Sequence, residues 1–226
     1  MNYLSTEFKQ AFYVTNPTLF AYFPLGMVFG VLFTHANFTW YLAPVMSALM
    51  YAGAVQFVAL SMMINHSSIA AILLATSFVA LRNSFYGLSV NERFKKIPFF
   101  TRAFLIFGLV DASYAIFTAR PPRSNENDTL FCFYTTLLPY LYWVVGTFIG
   151  AYYADIIPEI KGMDFILTCF FFLFVIEYYW VKKALDALII PVLASLTGYF
   201  LLPQYYLLIA ILICIFYLYL KVRVEK

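Results

Sequence analysis

Ser68-Ile-Ala-Ala-Ile-Leu-Leu-Ala-Thr-Ser-Phe-Val-Ala-Leu-Arg82-Asn83-Ser-Phe-Tyr86-Gly87-Leu-Ser-Val90 carries a single charged residue in a run long enough to cross a bilayer. A helix needs about 20 apolar residues to traverse the hydrocarbon core. A charge in the middle of such a run is costly unless it is paired or meets water. The stretch therefore predicts a membrane helix whose Arg82 has a partner elsewhere in the chain.

Seven further stretches read the same way: Pro17–Thr34, Trp40–Ile64, Ala103–Ala119, Leu130–Ala154, Phe165–Val181, Leu185–Leu201 and Tyr205–Leu220. Together they predict an all-α polytopic membrane protein with seven or eight transmembrane helices. Leu202, Pro203 and Gln204 alone separate the last two, which predicts a tight hairpin. The composition agrees, at 64% hydrophobic and 11% charged residues. A soluble domain carries roughly 25% charged residues. The linkers Asn91–Arg102 and Arg120–Thr129 hold most of the polar content, and neither is long enough for a domain. Residues 1–226 thus read as one integral membrane domain. Met1–Asn16 lacks the pattern of a secretory signal. The first apolar segment is expected to serve as its own insertion signal.

Lys and Arg concentrate on the cytoplasmic side of membrane proteins. With eight spans, Lys9, Arg120, Arg123, Lys182, Lys183, Lys221, Arg223 and Lys226 fall on one side, against Arg93, Lys95, Lys96, Arg102 and Lys161 on the other. The excess predicts both termini in the cytoplasm. A re-entrant or broken segment changes that parity. Gly26 and Gly30 in the first segment match Gly146 and Gly150 in the fifth, four spans later. The shared spacing leaves room for an internal repeat of four-helix halves. Glycines at this spacing also let helices approach closely.

Polar residues inside the apolar runs are the candidate functional residues. Asp111, in Phe107-Gly-Leu-Val-Asp111, is the natural partner of Arg82. Each lies nine positions from an edge of the loop Asn91–Arg102. At 1.5 Å per residue, both sit roughly 13 Å deep. The pair reads either as a packing salt bridge or as a gate or substrate anchor. An arginine matches a carboxylate, which a free amino acid offers. Asp111 in turn suits an ammonium group or a proton. Gln56 sits in Tyr51-Ala-Gly53-Ala-Val-Gln56-Phe57. Its small residues allow close helix approach or a local break, and broken helices expose backbone dipoles to substrates. Gln56 itself reads as an interhelical hydrogen bond or a substrate contact. Pro24 reads as a tolerated kink, and His35 and His66 as interfacial. Glu177 reads as an interfacial partner of Lys182 or Lys183.

Several classes are excluded. No basic stripe suits a nucleic acid. Cys132, Cys169 and Cys214 lie far apart in apolar runs, without the spacing of a metal site. No hydrolase or metalloprotease motif is present, and no P-loop. Neither an enzyme nor a bound cofactor is expected.

The motifs resemble those of the AzlC family, the larger subunit of bacterial branched-chain amino acid exporters. The resemblance rests on Tyr22-Phe-Pro24-Leu-Gly26 with Phe29-Gly30, on Tyr51-Ala-Gly53-Ala-Val-Gln56-Phe57, on Arg82 with Tyr86-Gly87, on Phe107-Gly-Leu-Val-Asp111, and on Trp143 with Gly146 and Gly150. Asn83 stands where the family often has His, and Ala112 where it often has an acidic residue. The resemblance implies export of branched-chain and related apolar amino acids across the bacterial cytoplasmic (inner) membrane. It implies secondary active transport, driven by an ion or proton gradient. It also implies a small AzlD-type membrane subunit as partner.

The sequence reading is therefore alternating access around Tyr51, Gly53, Gln56, Arg82, Asn83, Tyr86 and Asp111. Its partners are an amino acid substrate, the lipid bilayer and the small subunit, with a homo-oligomer left open. A non-transporting scaffold or regulator, in which Arg82 and Asp111 only fix packing, is one rival. A passive small-solute channel is the other.

Overall fold

The computed structural model describes residues 3–120, 127–157, 165, 186–201 and 206–224, all of whose regular elements are α-helical. The chain gathers into two compact units, Met1–Leu167 and Thr168–Lys226. The first contains α1 (Tyr3–His35), α2 (Leu42–Leu49), α3 (Gly53–Ile64), α4 (Ile69–Phe94), α5 (Phe99–Phe107), α6 (Asp111–Ala119) and α7 (Asp128–Tyr152). The second contains α8 (Asp186–Leu201) and α9 (Tyr206–Val224), which pack against each other. Of the expected sixth segment, Phe165–Val181, all but Phe165 lies outside the described residues, and Glu177 with it.

Among the described residues, α1, α4 and α7 are long and apolar enough to cross a membrane. The count rises to four if the bent pair α5–α6 is one span. That pair corrects the sequence reading. The expected straight span Ala103–Ala119 is two helices bent by 118° at the break between them. Gly108 ends α5, pressed so close to α7 that a Cβ there would lie 2.2 Å from Thr136 Cγ2. The buried Ser113 Oγ then accepts the Val110 N–H at 3.0 Å and starts α6. The expected span Trp40–Ile64 is likewise divided, into α2 and α3, at Met50–Ala52.

The scaffold is the pair α1–α7. Gly26, Gly30, Gly146 and Gly150 all lie in this one interface. A Cβ on Gly30 would stand 2.3 Å from the Thr147 carbonyl oxygen, and one on Gly150 2.0 Å from that of Met27. The spacing that suggested a repeat belongs to two helices in backbone contact. Pro17 and Pro24 are accommodated within α1.

Polar contacts fix which ends lie together. At one end, Arg93 donates to the carbonyl oxygens of Phe117 (2.8 Å) and Arg120 (2.7 Å) and pairs with Asp128. Arg120 donates to Gln10 Oε1 at 2.6 Å, and the Asn127 N–H donates to Glu7 at 3.3 Å. Arg102 donates to Asn91 Oδ1 at 2.6 Å. This end therefore gathers the starts of α1, α5 and α7 with the finishes of α4 and α6. At the other end, His35 meets the Ala154 carbonyl at 3.0 Å, and Trp40 packs on Phe148 and Tyr152. The sequence reading put Arg93 and Arg120 on opposite sides. Their contact places them together, because α5–α6 returns to the end it left.

Candidate functional site

Arg82 lies near the middle of α4, and Asp111 is the first residue of α6. The expected pair forms, with Arg82 Nη2 at 3.3 Å from Asp111 Oδ2. It does not form as two straight helices matched in depth. The break at Gly108–Val110 brings Asp111 to the opening turn of a helix, where free backbone N–H groups favour a carboxylate. Tyr86, one turn beyond Arg82, donates from its hydroxyl to Asp111 Oδ1 at 2.8 Å. Its ring stacks on Tyr114 at 4.3 Å, and Tyr114 donates to Ser89 Oγ at 3.3 Å.

Two further tyrosines close on this group. Tyr22 of α1, which the sequence reading did not count in the site, reaches the Ala112 backbone beside Asp111 and Arg82. Tyr51, in the α2–α3 break, lies near Tyr22 and within electrostatic range of Asp111. It is buried, and among the described residues its hydroxyl has no hydrogen-bond partner. Arg82, Tyr86, Asp111, Tyr22 and Tyr51 thus converge from α4, α6, α1 and one helix break.

Gln56 and Gly53 serve a different centre. Gln56 is fully buried, and its Nε2 donates to the Met50 carbonyl (2.8 Å) and to Ser47 Oγ (3.2 Å). The Trp143 Nε1–H donates to its Oε1 at 2.8 Å. Ser47 and Thr147 hydroxyls meet at 3.0 Å. This network holds the α2–α3 break against α7. Gly53 makes room for the Trp143 ring, since a Cβ would lie 2.7 Å from Cη2. Asn83 is half-buried and takes no part in the polar contacts of the Arg82 cluster. Ser47, Thr147 and Ser113 escaped the sequence reading because small hydroxyls are common in membrane helices and carry no charge to mark them.

The two arginines of α4 differ in kind. Arg93 is 10% exposed, and its Nε, Nη1 and Nη2 are all bound, with the guanidinium over the Phe117 ring. Arg82 keeps 36% exposure and Asp111 25%. The first pair is a closed structural lock. The second leaves its arginine more exposed, while the two carboxylates are exposed alike, Asp111 at 25% and Asp128 at 26%.

A family model described as AzlC protein matches residues 17–157. The chain belongs to the AzlC family. The match covers α1 from Pro17 through α7, and so every residue of the site. The chain is similar to a Helicobacter pylori (strain J99) membrane protein, 29% identical over 91% of this chain and 93% of the relative. It is similar to the branched-chain amino acid transport protein AzlC of Bacillus subtilis, 32% identical over 78% of this chain and 69% of that one. It also resembles the inner membrane protein YgaZ of Escherichia coli, 27% identical over 85% and 82% of the two chains. No solved structure matches the chain. As an AzlC family member with several apolar helices, it is a multi-pass membrane protein.

Proposed function

We propose that this chain is the transport subunit of an amino acid exporter in the bacterial cytoplasmic (inner) membrane, working by secondary active alternating access rather than catalysis. The observation that carries the reading is the Arg82–Tyr86–Asp111 cluster, partly open at the centre of a membrane helix. An intramembrane ion pair that is not sealed marks a pathway more often than a packing contact. The name of the Bacillus subtilis relative, a branched-chain amino acid transport protein, supports branched-chain amino acids as the substrate class.

In this reading the substrate carboxylate displaces Asp111 from Arg82, and Asp111 with Tyr86 receives the ammonium group or a proton. Tyr22 and Tyr51 border the side-chain pocket. The small AzlD-type subunit completes the transporter. Gln56, Gly53 and Asn83 act through the shape of the site and not through substrate contact.

The test is counterflow of labelled leucine, isoleucine and valine in vesicles holding the chain with and without the small subunit. Arg82→Ala is expected to abolish exchange while the protein stays folded. Undiminished exchange by this variant overturns the reading. A swap, Arg82→Asp with Asp111→Arg, separates it from the scaffold reading, since a packing bridge survives the swap and a substrate site does not.

A further inference from the structure

We propose that α2–α3 and α5–α6 are two re-entrant hairpins that enter the bilayer from opposite faces, with the Arg93 end in the cytoplasm. None of the four helices can span alone. They hold 8, 12, 9 and 9 residues. At 1.5 Å per residue, even the longest reaches only about 18 Å, against roughly 30 Å of hydrocarbon.

The contacts then dictate their course. α5 starts beside α4's finish through Arg102 and Asn91, and α6 finishes there through the Arg120 and Phe117 carbonyls on Arg93. This hairpin leaves and returns at the Arg93 end. α2 starts at the other end, where Trp40 meets Tyr152. α4 has 26 residues, about 39 Å of helix. Its start therefore lies far from Phe94, and α3, which leads into it through Asn65–Ser68, finishes at the His35 end. Ser47 bonds Thr147, while deeper in α7 the Tyr140 hydroxyl donates to the Ala48 carbonyl at 3.1 Å. Beyond the break Phe57 climbs back to Phe29.

Both breaks reach the middle of α7. Tyr140 is its central residue. One side of its ring meets Tyr51 at 5.1 Å, and Phe104 and Phe107 of α5 lie at 6.3 and 6.2 Å. Two opposed hairpins therefore share one post at mid-membrane. The element order is a span and a hairpin (α1, α2–α3), then an inverted span and hairpin (α4, α5–α6). Any repeat in the first unit takes this form, rather than the two four-helix halves that the glycine spacing implied.

Charge sets the orientation. Lys9, Arg93, Lys95, Lys96, Arg102 and Arg120 all fall at or next to the Arg93 end. The described loops of the first unit at the His35 end, 36–41, 65–68 and 153–157, contain neither Lys nor Arg. By the positive-inside tendency the Arg93 end is cytoplasmic.

The test uses single cysteines at the exposed positions Thr39, Asn65, Lys96 and Ala119, in a chain without Cys132, Cys169 and Cys214, and a membrane-impermeant maleimide. Thr39→Cys and Asn65→Cys are expected to label in right-side-out vesicles. Lys96→Cys and Ala119→Cys are expected to label only in inside-out vesicles. Protease sites inserted at the same positions give the same readout where a cysteine variant fails to fold. Labelling of either pair from opposite faces overturns the hairpins, and exchange of the two pairs overturns the orientation. The readout needs no transport, so it stands or falls apart from the exporter reading.

Discussion

The indole of Trp143 occupies the volume that a side chain on Gly53 would need, while its N–H is held by Gln56 at 2.8 Å. The ring is fixed at both edges and has little freedom to yield. Overpacking of this kind costs roughly 1–3 kcal/mol. Gly53→Ala is expected to lower the free energy of unfolding in detergent by that order. In a Trp143→Phe background, which frees the space and removes the N–H, the same substitution should cost less. Equal costs in both backgrounds would remove Trp143 as the reason for the glycine.

The α1–α7 interface gives a sharper contrast among glycines. Gly150→Leu drives a side chain into the Met27 carbonyl and is expected to prevent recovery of a monodisperse protein by size-exclusion chromatography. Gly87, in the second half of α4, has no atom within 4 Å of a built Cβ. Gly87→Ala is expected to be neutral or stabilising, since alanine gains up to about 1 kcal/mol over glycine in a helix.

Arg93 and Arg82 separate stability from activity. Removing one partner of a buried pair leaves the other charge uncompensated, at about 3–5 kcal/mol. Arg93→Ala strands Asp128 and two carbonyl oxygens, so a large loss of thermal stability is expected. Arg82→Ala removes the more exposed arginine and leaves Asp111 the Tyr86 hydroxyl as donor, so a much smaller shift is expected. The order of the two melting temperatures checks this, and a reversed order removes the distinction between lock and open pair.

Tyr86 tests the site more finely. Tyr86→Phe keeps the ring on Tyr114 and removes only the donor to Asp111. Export is expected to persist with KM raised roughly tenfold or more, because a hydrogen bond to a charged group contributes about 1.5–3 kcal/mol and each 1.4 kcal/mol is about tenfold. Unchanged KM and kcat would take Tyr86 out of the substrate site.

The residues that carried formal charge were legible in the sequence. Arg82 and Asp111 stood out because hydrocarbon tolerates so few charges, and they do meet. The route by which they meet was not legible. Hydropathy reports that a segment is apolar and long, and Ala103–Ala119 is both. Its 118° bend comes from Gly108 pressed on Thr136 and from Ser113 closing a turn, contacts with no signature along the chain. The same blindness misplaced the basic residues, since one unseen reversal moves every later loop to the other face. Gln56 was noticed for the right reason, being a buried amide, yet its three partners, Ser47, the Met50 carbonyl and Trp143, make it a brace.

The four short helices set the order of assembly. α7 leaves the ribosome after both helix pairs, yet Thr136, Tyr140 and Trp143 of α7 are what those pairs lean on. Until residues near Tyr152 emerge, the pairs can lean on α1 and α4 but lack the α7 contacts that brace their breaks. A chain truncated before Asp128 is expected to be cleared by quality-control proteases even though every residue of the candidate site has already been made.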